Sequence, residues 1–467
     1  MILLFAVVGV SFGFELFSVK SVASEAEGHL VPMWAIIPFV VLLLMIATGP
    51  LFYEHFWHQN YPLISVLMAV GVVAYYIFGL HDTHMPIHSG AEYVQFISLL
   101  AALYIASGGI MIQIDKQATP RANVLLLLIG AIISNLIGTT GASMLLIRPF
   151  MRLNQSRLKG YHVIFFIFIV SNIGGSLTPI GDPPLFLGFL KGVPFFWTAE
   201  HNLIPWAFAL VFLLVTFFII DSRNKTKHEF FEEMPEPTGK ISIMGIRNFF
   251  WLAVVIASVF LDPNIIDWVP YIPFSGMKIS FLRELIMLSV AFMSYRFASK
   301  AALQGNEFSF EPIREVAFIF IGIFGTMMPA LELVGSFAAS PEGVELINQN
   351  SLYWGTGLLS GYLDNAPTYI NFLTAAMASQ GMSINNLPDV VSFATDRTLF
   401  LKAISVAAVF FGAFTYIGNG PNFMVKSIAE EIGLKMPSFF GYILRYSLII
   451  LVPLFILVWL LFFKFSG

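Results

Sequence analysis

Two carboxylates stand where an apolar chain should carry none. Asp182 lies in Gly175-Ser-Leu-Thr-Pro-Ile-Gly-Asp-Pro-Pro-Leu-Phe186, and Asp364 in Leu363-Asp-Asn-Ala-Pro-Thr368. Each sits among Gly, Pro and Asn within runs otherwise fit to cross a bilayer. A charge at membrane depth costs at least about 2.5 kcal/mol, so such residues mark ion or proton paths. A carboxylate whose proton affinity lies near working pH can hold Na+ and H+ in turn, which is the chemistry of cation/proton exchange. Neutral oxygens lie close by in sequence. Asn135, Asn365 and Asn419 offer side-chain carbonyls, and Thr178 and Thr415 offer hydroxyls. The expected site is therefore Na+ at Asp182 and Asp364, with those five as neutral ligands. The plainer role for each is local. Asp and Asn cap helices, and Thr bonds back to its own helix.

The elements that must hold these groups are breaks in apolar helices. The stretch around Asp182 has an echo in Gly412-Ala-Phe-Thr-Tyr-Ile-Gly-Asn-Gly-Pro-Asn-Phe423. Gly175/Gly412, Thr178/Thr415, Ile180/Ile417, Gly181/Gly418, Pro184/Pro421 and Phe186/Phe423 are identical without gaps. Pro removes a backbone donor and clashes with the preceding turn. In hydrocarbon each freed polar group must find a partner. Paired breaks at corresponding positions of two halves point to a transporter's binding site. Gly138, Gly181, Gly418 and Gly420 are read as the residues that permit the bends.

Composition bounds the class. Of 467 residues 57% are hydrophobic and 11% charged, with 49 Phe and no Cys. That predicts an all-α polytopic membrane protein. No basic cluster suggests nucleic acid, no Cys-based metal or disulfide framework is possible, and no cofactor is expected. Residues 2–18 are apolar apart from Glu15, and residues 1–31 read as a retained helix or a cleaved signal peptide. The lack of Lys and Arg before the apolar run favours the helix.

Spanning segments are predicted near 32–52, 61–80, 92–112, 161–180 and 202–221, then near 246–262, 279–297, 313–335, 397–417 and 439–463. Between the third and fourth of each set lies an interrupted stretch, 121–147 and 352–378, read as a re-entrant helical hairpin. The layout is two inverted repeats, 32–221 and 246–467. Each has five spanning helices, one of them broken, plus one hairpin. That makes about 11 transmembrane helices with the N-terminal one, joined by a cytoplasmic linker at 222–245. Loop charge agrees. With the linker inside, about seventeen of the 24 Lys and Arg fall on the inner side. Arg148 reads as an interfacial anchor and Glu332 as solvated at a helix end. His81, Asp82, His84 and His88 read as decoration of an external loop.

Four stretches carry a family resemblance: 171–186, Thr140-Gly-Ala-Ser-Met-Leu-Leu-Ile-Arg-Pro149, 363–368 and 418–423. Together they resemble the NhaD-type sodium/proton antiporters of the ion-transporter superfamily. That superfamily also holds divalent-anion/sodium symporters and citrate transporters. The resemblance covers about 92–465 and leaves out residues 1–31. It implies an elevator-type carrier. Hairpins, broken helices and the helix after each would move against a dimeric scaffold in the bacterial inner (plasma) membrane, exchanging Na+ or Li+ for H+.

Two other readings stay open. Sodium-coupled uptake of citrate or a dicarboxylate would want amides, hydroxyls and half-helix N-termini around the anion. It would be opposed by fixed carboxylates nearby. An intramembrane aspartyl protease is disfavoured, because Pro179 stands where the first Gly of a Gly-x-Gly-Asp motif belongs. The chain is therefore not expected to be an enzyme.

Overall fold

The computed structural model describes residues 31–114, 118–224, 240–263, 266, 268–274 and 277–465. The expected N-terminal helix at 2–18 and most of the linker lie outside the described residues.

The described residues open with α1 (Met33–Phe52), α2 (Glu54–Gly79) and α3 (His84–Gly108). A short strand, β1 (Met111–Ile114), leads to α4 (Pro120–Leu153). Thr119 caps α4 through Ala122 N–H, with Pro120 at its first position, where a missing donor costs nothing. Gly138 interrupts α4 at φ 79°, ψ 154°, a region closed to residues with a side chain. There the chain doubles back. Asn123 and Asn154 exchange two amide hydrogen bonds of 2.8 Å. A straight helix would hold them about 46 Å apart at 1.5 Å per residue. The predicted first hairpin is thus present, with its tip at Gly138 and its base at 120–153.

Next come α5 (Gly160–Ile169), α6 (Pro183–Lys191) and α7 (Trp197–Ser222). The helix predicted at 161–180 is broken. α5 ends at Ile169, a 3-10 turn follows at Ile173–Gly175, and α6 starts only after Asp182. Every residue from Tyr161 to Ile169 is buried. An all-apolar helix needs such a setting, and it fixes the break deep in the protein.

Then β2 (Ile241–Met244) pairs antiparallel with β1, which a purely helical reading did not foresee. α8 (Arg247–Ser258) follows, then a second ladder of β3 (Ile272–Phe274) and β4 (Met277–Ile279). α9 (Leu282–Arg296) and α10 (Lys300–Gly305) come next. α11 (Glu311–Thr326) and α12 (Met328–Ala338) are bent against each other by 48°. After α13 (Pro341–Leu346), α14 (Gln349–Tyr362) and α15 (Asn365–Ala378) form the second hairpin. Gly355 in α14 abuts the Phe372 ring in α15, so this chain also turns back, at Leu363-Asp364. α16 (Leu387–Asp396) meets α17 (Thr398–Phe411) at 93°. A 3-10 turn at Gly412–Phe414 opens the second break, and α18 (Gly420–Glu431) resumes beyond Asn419. The final helix is α19 (Phe439–Lys464).

Among the described residues six helices are long and apolar enough to span a bilayer, with α4 counted whole although it doubles back, or eight with each bent pair counted as one span. About eleven were expected. One of these, the N-terminal segment, lies outside the described residues, and others stop short of spanning length. α5 and α6 are halves of a broken helix with 10 and 9 residues, and α8 has 12.

Several sequence readings change. His84 and His88 belong to the first turns of α3 rather than a loop, and His88 is buried. Glu332 lies inside α12 and accepts a 2.8 Å bond from Tyr76 Oη. Asp221, the last residue before the expected linker, is buried in the last turn of α7. It accepts from Arg157, Tyr161 and His162 at 2.7, 2.6 and 3.1 Å. The fourth donor is Asn123 of the hairpin base, at 2.9 Å. Arg148 is buried and pairs with the exposed Glu307 at 2.8 Å.

Candidate functional site

The four breaks meet at one carboxylate. Asp182 precedes α6 with extended backbone, φ −144° and ψ 144°, and Asn419 precedes α18 at φ −156° and ψ 141°. Both occupy the capping position, and neither side chain caps its own helix. Asp182 Oδ1 instead accepts from Thr139 Oγ1 at 2.8 Å and from Asn419 Nδ2 at 2.9 Å. Its Oδ2 accepts from Asn365 Nδ2 at 2.6 Å. The three donors come from the first hairpin tip, the second broken helix and the second hairpin. Asp182 is only 1% exposed. Three donors are what a buried carboxylate needs in place of water.

Asp364 behaves differently. Its Oδ1 accepts from Ala366 N–H at 3.0 Å and its carbonyl from Thr368 Oγ1 at 2.9 Å, so it caps α15. The local role fits Asp364 and does not fit Asp182.

The expected neutral ligands divide in the same way. Asn135 is spent on the backbone. Its Nδ2 donates to Ala131 and Gly174 carbonyls, and its Oδ1 accepts from Leu177 N–H. Thr178 Oγ1 donates to the Asn135 carbonyl at 2.5 Å, and Thr415 Oγ1 to the Gly361 carbonyl at 2.7 Å. Asn135 lies three residues before Gly138, and Gly361 three before Asp364. Each broken helix is thus tied to its hairpin by the same bond at a matched place. Asn365 and Asn419 do reach the carboxylate. Asn365 Oδ1 is also buried and lacks a hydrogen-bond partner, a hard oxygen suited to a cation.

Thr139 was missed as a site residue. It lies four residues after Asn135, as Asn365 lies four after Gly361. Only aligning the two hairpins on their breaks would have singled it out. Asn172 and Asn422 extend the network. Asn172 Nδ2 donates to Asn422 Oδ1 at 2.7 Å, and Asn422 Nδ2 donates to the Gly412 and Thr415 carbonyls. One face of α7 steadies the first break. Thr198, Asn202 and Trp206 donate to the carbonyls of Leu177, Ser176 and Gly174.

The glycines differ in purpose. A Cβ on Gly181 would stand 2.1 Å from the Gly175 carbonyl oxygen, and one on Gly418 2.6 Å from that of Gly412. These conserve a close backbone approach within each half's loop. Gly420 meets nothing within 4 Å.

The half-helix ends offer few donors to an anion. Pro183 and Pro184 have no N–H, and the Leu185 and Phe186 N–H groups both bond the Asp182 carbonyl. At α18, Pro421 has none and the Asn422 N–H bonds the Asn419 carbonyl. Among the described residues no cluster of three or more His, Asp or Glu could hold a metal ion. The Asp182 centre draws instead on amide and hydroxyl groups.

No curated protein matches the chain. A family described as putative citrate transport matches residues 28–463. With its apolar helices this fits an integral membrane protein and points to a secondary transporter. The chain belongs to the putative citrate transport family.

Proposed function

We propose that the chain is a Na+(Li+)/H+ antiporter with Asp182 as the group that holds cation and proton in turn. The observation carrying this reading is the convergence of Thr139, Asn365 and Asn419 on one buried carboxylate, with Asn365 Oδ1 beside it unpartnered. A cation entering there gains a full negative charge and neutral oxygens. A proton gains the same carboxylate. Asp364 lies close in the chain to Asn365 and adds a second negative charge that favours cation over anion. The elevator motion, the inverted relation of the halves at 32–221 and 246–467, the cytoplasmic linker, a homodimeric scaffold and a bacterial inner-membrane location belong to this proposal.

The family description favours a second reading more directly, namely Na+-coupled symport of citrate or a related carboxylate. There the Asp182 centre would seat the coupling cation. The anion would need donors beyond the largely occupied half-helix ends.

One experiment separates the two. Proteoliposomes with an internal pH dye are challenged in turn with NaCl, LiCl, KCl and sodium citrate. Antiport is expected to alkalinise the lumen with external NaCl or LiCl and no citrate. Symport is expected to accumulate labelled citrate only with a Na+ gradient, without that citrate-independent pH change. A preparation that does neither, although inserted and folded, refutes both readings.

A further inference from the structure

The helices pack as two groups. α1, α2, α3, α8, α9, α11 and α12 pack on one another. The two hairpins, the broken helices, α7 and α19 form the other group. The groups meet where α3 lies along the first hairpin and α12 along α15 of the second.

Two ion pairs cross this seam. Lys191, the last residue of α6, reaches Glu92 of α3 at 2.7 Å, and both side chains are buried. Arg148 of the first hairpin reaches Glu307, beside Asn306, whose side chain bonds the Gly108 carbonyl at the end of α3. Glu92 and Gly108 are sixteen residues apart on α3, so the pairs lie about 24 Å apart along it.

The two contacts differ in strength. Glu307 is 70% exposed, and an exposed pair contributes little. Lys191 and Glu92 are both withdrawn from water, and removing one partner of such a pair leaves the other charge buried without its counter-ion. Without Lys191, Glu92 keeps His88 Nδ1 of its own helix beside it, at 3.5 Å. Lys191 also donates to Asn385 at 3.1 Å within its own group. That bond can travel with Lys191, whereas the Glu92 contact cannot survive a slide along the seam.

We infer that the Lys191–Glu92 pair is a latch that holds the hairpin group against α3 in this conformation. It must open for the group to move. The inference rests on the carrier reading, since it requires the seam to slide. Removing either charge destabilises only the latched state, because in the displaced state the two are already apart.

The test uses a disulfide reporter on the other flank of the seam. A Cβ on Gly335 of α12 would lie 3.9 Å from Ala378 Cβ of α15, within the usual disulfide range. The chain has no Cys of its own. The Gly335→Cys/Ala378→Cys chain, reconstituted in proteoliposomes, is expected to close quickly under mild oxidant. Adding Lys191→Met or Glu92→Gln is expected to slow closure roughly tenfold or more, as loss of a buried charge partner implies. The swap Lys191→Glu/Glu92→Lys is expected to restore the rate, which mere loss of packing would not allow. Equal closure rates in all chains overturn the latch. If the single variants do not fold, the swap carries the test, and slow closure there overturns it. Transport that is lost on closure shows that the seam slides, so a failed latch then stands apart from the carrier reading. Transport that persists after full closure takes down both.

Discussion

Asp182 stands at the start of a helix and does not cap it. A capping Asp turns its oxygen to its own second or third N–H. Here Pro184 lacks that N–H, and Leu185 N–H is taken by the Asp182 carbonyl. The side chain is thereby released toward Thr139, Asn365 and Asn419. Asp182→Asn keeps the shape and replaces one acceptor oxygen with a donor, so at least one of the three incoming donors faces another donor. Cation-coupled transport is expected to fall at least a hundredfold, equivalent to ~2.7 kcal/mol, with the protein still folded and inserted. Near-normal flux in that variant would make Asp182 a structural anchor. Asp364→Asn should differ. Asn caps about as well as Asp, so thermal stability in detergent should change by no more than a few tenths of a kcal/mol. The lost charge should raise the cation KM about tenfold, ~1.4 kcal/mol, while sparing the maximal rate. An unchanged KM would limit Asp364 to capping.

The elements that bring these side chains together are built on close backbone approach, and the sequence carries that only in part. The identity of Gly175 with Gly412 and of Gly181 with Gly418 marked both loops. The structure supplies the reason, which is a carbonyl where a Cβ would stand. Gly181→Ala and Gly418→Ala are therefore expected to lower the unfolding temperature markedly. Gly138→Ala is expected to cost ~1–3 kcal/mol through its φ alone. Gly420→Ala should be silent, since open space surrounds it. Equal losses at Gly420 and Gly181 would refute the close-approach account. The hairpins were legible because polar turn residues interrupt apolar runs at their middles. The broken helices were legible from Gly and Pro in matched order. Other features were not, because they join residues far apart in the chain. The α7 donors Thr198, Asn202 and Trp206 look like ordinary polar residues of a spanning helix until the loop at 174–177 lies against them. The β1–β2 ladder joins Met111–Ile114 to Ile241–Met244 across the first hairpin, the first broken helix and α7, and no local pattern announces it. Asp221 stands next to the expected linker, and nothing in its sequence neighbours shows that it is buried. Its four donors come from α4, α5 and the turn between them.

At the scale of the whole molecule the two halves contribute unequally to a shared point. Thr178 and Thr415 bond matched hairpin carbonyls. Asp182 and Asn419 share backbone conformation and place in the chain. Their side chains touch at 2.9 Å, so the charge of one half and the amide of the other occupy adjacent positions in one centre. Under the proposed cation-binding role, what matters is that this centre holds one carboxylate, more than which half supplies it. Moving the charge tests this. Asn419→Asp alone sets two carboxylates within bonding distance, and like charges so close favour sharing a proton, so this variant should bind protons at the expense of Na+. Asp182→Asn alone removes the charge. The exchange Asp182→Asn/Asn419→Asp restores a single carboxylate next to an amide, with the partners reversed. Asn172 Oδ1 and the Ser171 carbonyl both accept from the position 419 amide at 3.2 Å, so a carboxylate moved there faces two acceptors until Asn172 turns its amide toward it, and only part of the function is expected to return. The exchanged chain is expected to regain Na+-dependent thermal stabilisation and part of the flux lost in Asp182→Asn. Both are measured on the same preparations in detergent and in proteoliposomes. An exchanged chain that is inserted, stable and as inactive as Asp182→Asn would mean that the site reads the identity of the half, and that the pairing of Asp182 with Asn419 is geometric only.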